Sequence, residues 1–305
     1  ASSAYYSISK CLSVVSDPEV VEYNMLSVPG VVNSSLTDKV MNLAQRRGDA
    51  LAVIDIEGLW TPRSSRYMAD PASRQGNLAN AMALVKSRSL NNSYACAYAP
   101  WVRSQLGGVQ FYLPPSVAGI GTMGSSASTS QLWFAPAGFN RGGLDEGSAG
   151  ISVEACSHHL TSRERDLLYD LNINPIASFP ANNIVIFGQK TLQGFDSALD
   201  RINVRRLLIF VKKRVSQISR ELLFEPNISR TWLKFKNPVD TFLGNIKSGG
   251  GLSDYRVVLD SSTTTPDLID RNIMYAKVLL KPTRSIEFIA VDFVITNTGA
   301  SFDDP

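Results

Sequence analysis

The run Leu51-Ala52-Val53-Ile54-Asp55-Ile56 constrains the fold more than any other stretch. A strand that is apolar on both faces has no side to give to water. It belongs inside a sheet covered by helices above and below. The neighbouring sequence supplies such helices. Leu36, Val40, Leu43 and Ala44 keep helical spacing ahead of the run. Ser35 with Asp38 forms a capping-box variant at the start of that helix, and Gly48 is placed to stop it. Beyond the run, a polar loop through Ser64-Ser65 leads to a helix over 77–86 and an alternating strand over 93–99, completing a βαβ unit. The predicted class is α/β, or α+β over the whole chain, with a central sheet flanked by helices.

The remaining chain reads in pieces. Residues 1–32 show short apolar stretches and turn residues without a clear period, and 101–150 read mostly as loop around a strand at Val109–Leu113. Thr161 and Glu164 form a second capping box, opening a helix that must end before Asn174-Pro175. Strands are expected next, Ile184–Phe187 the stronger. The longest helix is predicted over 197–223, where Leu208, Val211, Val215, Ile218 and Leu222 form a stripe. Arg205, Arg206, Lys212, Lys213 and Arg220 are expected to lie largely off that stripe. Asn237-Pro238 reads as N-cap and first residue of a short helix closed by Gly249-Gly250-Gly251. The tail is strand-rich, over 255–259, 273–280 and 286–296. Two domains are expected, 1–172 and 173–305, the second an α+β unit ending in β-strands.

Composition removes several functions. With 30 Lys and Arg against 27 Asp and Glu, the net charge of +3 is too small for a protein that lives on phosphate contacts. No apolar run reaches the ~18 residues of a membrane span. Cys11, Cys96 and Cys156 are an odd, scattered set, which fits a reducing compartment better than a disulfide scaffold. Cys156, His158 and His159 are too close together to aim at one metal ion, and no second Cys/His group lies at a useful spacing. No nucleophile elbow accompanies these histidines. Gly119-Ile120-Gly121-Thr122-Met123-Gly124 matches a dinucleotide-binding pattern on paper, but Pro114-Pro115 breaks the strand before it, so a flexible loop is the better reading. Asp55 ends a buried strand without a partner acid. A small-molecule-binding enzyme using Asp55 and the Gly119–Gly124 loop stands as the alternative function. Catalytic residues, metal ligands and cofactors are otherwise not expected.

Two features concern association. Residues 201–220 hold seven Lys or Arg and no Asp or Glu, giving either a solvated helix side or a docking surface for an acidic partner. The last strand places Ile286, Phe288 and Ala290 on one face, then Phe293 and Ile295 after a change of phase. Such a strand can edge its own sheet or add to a neighbour's.

The segment Trp133-Phe134-Ala135-Pro136-Ala137-Gly138-Phe139-Asn140-Arg141-Gly142 resembles the PAG-x-NRG signature of contractile tail sheath proteins, the family of myovirus phages, R-type pyocins and related injection machines. The resemblance continues through Leu160-Thr161 to Asp166-Leu167-Leu168-Tyr169, then Ile173-Asn174-Pro175-Ile176. It goes on through Phe187-Gly188-Gln189-Lys190-Thr191-Leu192, the block from Asp200 to Leu207, and Leu223-Phe224-Glu225-Pro226-Asn227. Val28-Pro29-Gly30 and the stretch from Ala50 to Asp55 fit the preceding part of that family.

The resemblance implies a structural subunit rather than an enzyme. Sheath subunits stack as hexameric rings around a tail tube, between a baseplate and a tail terminator, and rearrange collectively to drive the tube through the host envelope. It implies a virion component assembled in the host cytoplasm, with no nucleic-acid or membrane partner. It makes the C-terminal domain tube-facing. Arg205, Arg206, Lys212, Lys213 and Arg220 become candidate tube or intersubunit contacts, although Arg205 and Arg206 could instead pair internally with carboxylates such as Glu225. Residues Ile286, Phe288, Ala290, Phe293 and Ile295 become a candidate strand-exchange arm. The chain opens on Ala1 without an initiator Met, close to where the resemblance begins. A core lacking the N-terminal arm and outer domains is therefore expected, monomeric or weakly associating.

Overall fold

The structure is a computed structural model, and it describes residues 3–61, 74–145, 150–180 and 184–287. Strands β1 (Met25–Ser27), β2 (Leu51–Ile54), β3 (Ala95–Ala99), β7 (Asn174–Ser178) and β8 (Ile184–Ile186) form one sheet in that order. Its pairs are parallel except β7–β8, which is antiparallel. Every residue of β2 and β3 is buried, as the apolar run requires. Ala52, Ile54, Ala95 and Ala97 share one core with α1 (Ser3–Val14), α2 (Ser34–Arg47) and α3 (Leu78–Arg88). Leu51, Val53, Cys96 and Tyr98 share the opposite core with α4 (Pro115–Thr129) and the first half of α6 (Ile202–Arg220). Side chains alternate across a strand, so two helical layers are what a doubly apolar strand needs.

A second sheet of order β5-β4-β6 is antiparallel throughout, built from β4 (Val102–Leu106), β5 (Val109–Leu113) and β6 (Val153–Cys156). Gly107 and Gly108 both have positive φ, 57° and 81°, as the tight turn between β4 and β5 demands. Helix α5 (Ser162–Asp170) starts at the predicted capping box: Thr161 Oγ1 accepts from the Glu164 N–H, while the Glu164 carboxylate accepts from the Thr161 N–H. The third core joins the second half of α6 to α7 (Ser229–Ser248) and the antiparallel pair β9 (Leu252–Val258) and β10 (Lys277–Pro282), with α8 (Pro266–Asp270) in the loop between those strands.

Several expectations are corrected. Residues 3–14 are helical, and α2 is capped by Asn33 rather than Ser35; Asp38 pairs with Arg88 at 2.7 Å. Gly119–Gly124 is not a loop but the middle of α4, which begins with Pro115 at its first turn, where a missing N–H costs nothing. Its amides are spent within the helix, so they cannot cradle a phosphate. Helix α7 does not start at Pro238 but runs through it, with Phe235, Val239, Leu243 and Ile246 buried on either side. Packing of that face outweighs the one hydrogen bond that proline cannot make. The expected boundary at 172/173 cuts through the first sheet, since β7 and β8 complete it; the third core starts within α6.

Candidate interaction site

Helix α6 is the spine between the first sheet with its helical layers, the first body, and the core of α7, β9 and β10, the second. Ile202 and Ile209 enter the core under β3, whereas Leu207, Val211 and Ile218 enter the core against α7. A helix gripped on two sides has little surface left for charge. Arg205 and Arg206 are each only 5% exposed, which corrects the expectation that they lie on an outer face. The Arg205 guanidinium donates to the Ser93 carbonyl at 3.1 Å and to the Ser93 hydroxyl, and it stacks over the Tyr94 ring at 3.9 Å. Lys213 donates to the Tyr23 carbonyl at 2.7 Å, and Lys212 donates to the Gly48 carbonyl at 3.3 Å. Much of the basic face is therefore turned onto the first body. Arg220, at the end of α6, is exposed. Glu225 pairs with Lys234 at 3.1 Å, not with Arg205 or Arg206.

The Trp133–Gly142 signature is a clip along the edge of the first sheet. Gly138 N–H donates to the Ile186 carbonyl and Ile186 N–H donates to the Gly142 carbonyl, at 2.8 and 2.9 Å. Gly138 has a φ of 78°, and a Cβ on Gly142 would lie 2.7 Å from the Ile186 oxygen, so both glycines are needed. Arg141 Nε donates to the Ala135 carbonyl at 3.0 Å, closing the loop on itself. At its other end Trp133 Nε1 donates to the Gly249 carbonyl at 2.9 Å. Any Cβ on Gly249 or Gly251 would come within 2.8 Å of the indole. The signature thus fastens the sheet edge to the end of α7.

Beside this clip the chain beyond β10 crosses back onto the first body. Glu287 Oε1 accepts from Arg201 Nε at 2.6 Å and from Gln189 Nε2 at 3.3 Å, and its Oε2 accepts from the Tyr169 hydroxyl at 2.9 Å. Burial first, then the neighbouring Glu287 charge, pushes the Tyr169 phenol well above its ordinary range. Ser285 Oγ accepts from Asn203 at 3.3 Å. A groove of about 690 Å³ opens between this strap, α5 and the signature loop, and Trp133, Arg141, Arg165, Tyr169 and Arg284 are among its walls. Next to it Phe139, Phe179 and Phe187 form a ring cluster with centroids 5.0 to 6.1 Å apart; Phe139 and Phe187 are exposed. Ile286, 82% exposed, is the one candidate arm residue on the described chain; Phe288, Ala290, Phe293 and Ile295 lie outside it.

The other chemical candidates resolve into structure. Asp55 accepts from the Gly30 N–H, the Ser116 N–H and the Ser116 hydroxyl at 2.8, 3.0 and 2.7 Å, tying β2 to the start of α4. Burial outweighs these donors and raises its carboxyl above the usual carboxylate range. His158 lies 2.9 Å from the Gly76 carbonyl and 3.0 Å from the Ser157 hydroxyl. Among the described residues no group of three or more acids, histidines and cysteines is placed to hold a metal ion, and no helix is long and apolar enough to cross a membrane. Sequence reasoning missed Glu287 and the Trp133 bond. The signal for the second was present in the glycine run that leaves room for an indole.

Comparison with known proteins gives this arrangement a family. Residues 195–296 match the phage tail sheath C-terminal domain. The tail sheath protein of Vibrio phage KVP40 is 32% identical over 95% of this chain, which spans 44% of that protein. The tail sheath protein of Enterobacteria phage T4 is 31% identical over 89% of this chain, which spans 40% of it. The chain thus covers less than half the length of the curated relatives it matches. Among solved structures, the sheath complex of an extracellular contractile injection system in the contracted state superposes with a TM-score of 0.73 at 22% identity, over 94% of this chain and 75% of that one. The contracted helical sheath of the anti-feeding prophage gives 0.69 at 22%, over 93% and 73%. By sequence and by fold, this chain belongs to the contractile tail sheath proteins.

Proposed function

We propose that this chain is the conserved body of a structural subunit that polymerises around a phage tail tube and contracts to drive the tube through the host envelope during genome ejection. The supporting observation is similarity to a phage tail sheath protein over 95% of the chain. In this reading the subunits form hexameric rings stacked helically, contacting the tail tube, the baseplate and a tail terminator. The product is a virion component assembled in the host cytoplasm, acting without catalysis or cofactor. Contraction then needs no nucleotide. Each subunit gains a modest interface free energy on rearranging, and many subunits sum to a one-way drive. Residues 286–296 serve as the exchanged arm in this proposal. Of the five basic residues proposed for contacts, Arg220 keeps that role, since Arg205 and Arg206 are committed to the interior and Lys212 and Lys213 to the Gly48 and Tyr23 carbonyls. Electron microscopy of the protein expressed from its whole gene tests the reading. Long tubes of stacked rings are the expected outcome. Monodisperse particles at every concentration and salt condition, with no decoration of added tail tubes, would refute it.

A further inference from the structure

Gln189 and Asn203 leave two acceptors unanswered. Each residue is 3% exposed, and each has a side-chain oxygen without a hydrogen-bond partner. The nitrogen at the other end fixes each amide. Gln189 Nε2 donates to the Glu287 carboxylate at 3.3 Å, and Asn203 Nδ2 donates to the Trp133 carbonyl at 3.1 Å. Turning either amide over would set oxygen against oxygen. A buried acceptor without a donor is costly. Both residues line the groove between the strap, α5 and the signature loop.

The same groove carries charge of one sign. Arg141, Arg165 and Arg284 line it, and among the described residues no carboxylate forms an ion pair with any of them. Of the two acids there, Glu287 is already held by Arg201 at 2.6 Å, which leaves Asp166. Phe134 and Phe187 add aromatic surface, the second of them exposed. Spare acceptors, spare cations and rings together fit an extended acidic segment. Its backbone N–H groups would meet the oxygens, its carboxylates the guanidinium groups, and an aromatic side chain the rings.

The chain itself contains such a segment. Residues 288–305 hold Asp292, Asp303 and Asp304, together with Phe288, Phe293 and Phe302, and no Lys or Arg. They lie outside the described residues and follow directly on Glu287, a wall of the groove. We propose that Phe302-Asp303-Asp304 docks in this groove of its own chain, Phe302 against Phe134 and Phe187, the two carboxylates toward the three arginines. The intervening residues, reaching roughly 3.3 Å apiece when extended, are more than enough to double back. A segment tethered at the groove's wall meets it at an effective concentration that a second copy in dilute solution does not match. Docked, the tail keeps the arm on its own subunit. That consequence for strand exchange rests on the sheath reading; the docking itself does not.

The test uses the whole chain and a fluorescein-labelled peptide of sequence 296–305. Wild type, its groove already filled, is expected to bind the peptide weakly. The triple variant Phe302→Ala, Asp303→Asn, Asp304→Asn leaves the groove open and is expected to bind it roughly tenfold tighter or more. Added salt weakens that binding. Arg284→Gln, at an exposed position, and Arg165→Gln on α5 are each expected to reverse part of the gain. Equal binding by wild type and triple variant, binding to neither, or a gain indifferent to both arginine substitutions would overturn the proposal. So would light scattering that shows wild-type dimers lost in the triple variant, which assigns the groove to a second copy's tail. Tube formation by the protein from its whole gene is scored separately, so failure of the docking and failure of the sheath reading are distinguishable.

Discussion

A single carboxylate, Asp55, illustrates how a residue that resembles a catalytic acid becomes a joint. Its three donors come from the Gly30 turn and from the first turn of α4, so it couples the chain before α2 to the helix over the opposite face. Asp55→Asn turns one accepting oxygen into an amide NH2 donor facing another donor and is expected to cost about 1–3 kcal/mol, read as a fall in the unfolding midpoint. The raised carboxyl in the fold sets the sign of the pH effect. A group that holds its proton more tightly when folded stabilises most below its unfolded value, and that share is lost as pH climbs through the folded value. The margin of wild type over Asp55→Asn is therefore expected to be largest in acid and to shrink as pH rises above about 4. A margin that grows over that window contradicts the assignment. Arg205 carries the same lesson for cations: from sequence it was one charge in a basic run, yet the Tyr94 ring and the Ser93 oxygens claim it.

At the scale of elements, legibility follows from how local the cause is. The α5 capping box, the Gly48 stop and the doubly buried β2 were readable because each rests on neighbours within a few residues or on simple periodicity. Helix α4 was not readable, because Gly, Ser and Thr are poor helix formers and only tertiary packing selects the helix. Gly119 lies where the Tyr98 ring presses on that helix, whereas Gly124 faces open space. Gly124→Ala is expected to stabilise by about 0.5–1 kcal/mol through helix propensity. Gly119→Ala carries the same propensity gain but drives a methyl into the ring, so it is expected to lower the midpoint. Equal shifts for the two variants would show that the close approach of α4 to β3 is not real. Pro238 misled for the converse reason: a local stop signal loses to an apolar face buried along the whole of α7. The arm contacts were opaque because a partner for Glu287 gathers Tyr169, Gln189 and Arg201 from three separate stretches.

Across the whole molecule, the cores do not part at the expected 172/173 boundary. The first sheet takes strands from both sides of residue 172, and α6 belongs to both cores. Trp133 supplies the second tie, from the signature loop to the end of α7. Trp133→Phe keeps much of the ring but loses the bond to Gly249; Trp133→Ala also empties the space over Gly251. Hydrogen exchange is expected to quicken in α7 and β9 in the order Phe then Ala, with β2 and β3 unchanged. Uniform quickening through both bodies would mean that the indole props up the entire fold instead of one junction. The Glu287 contacts bear on a different property. Arg201, Gln189 and Tyr169 grip one carboxylate together, so a pull on the chain beyond it loads three bonds in parallel rather than peeling them one after another. Bonds sheared together yield at a higher force than bonds unzipped in turn. Glu287 is thus built as an anchorage, able to pass tension at once into α5, the turn after β8 and the start of α6.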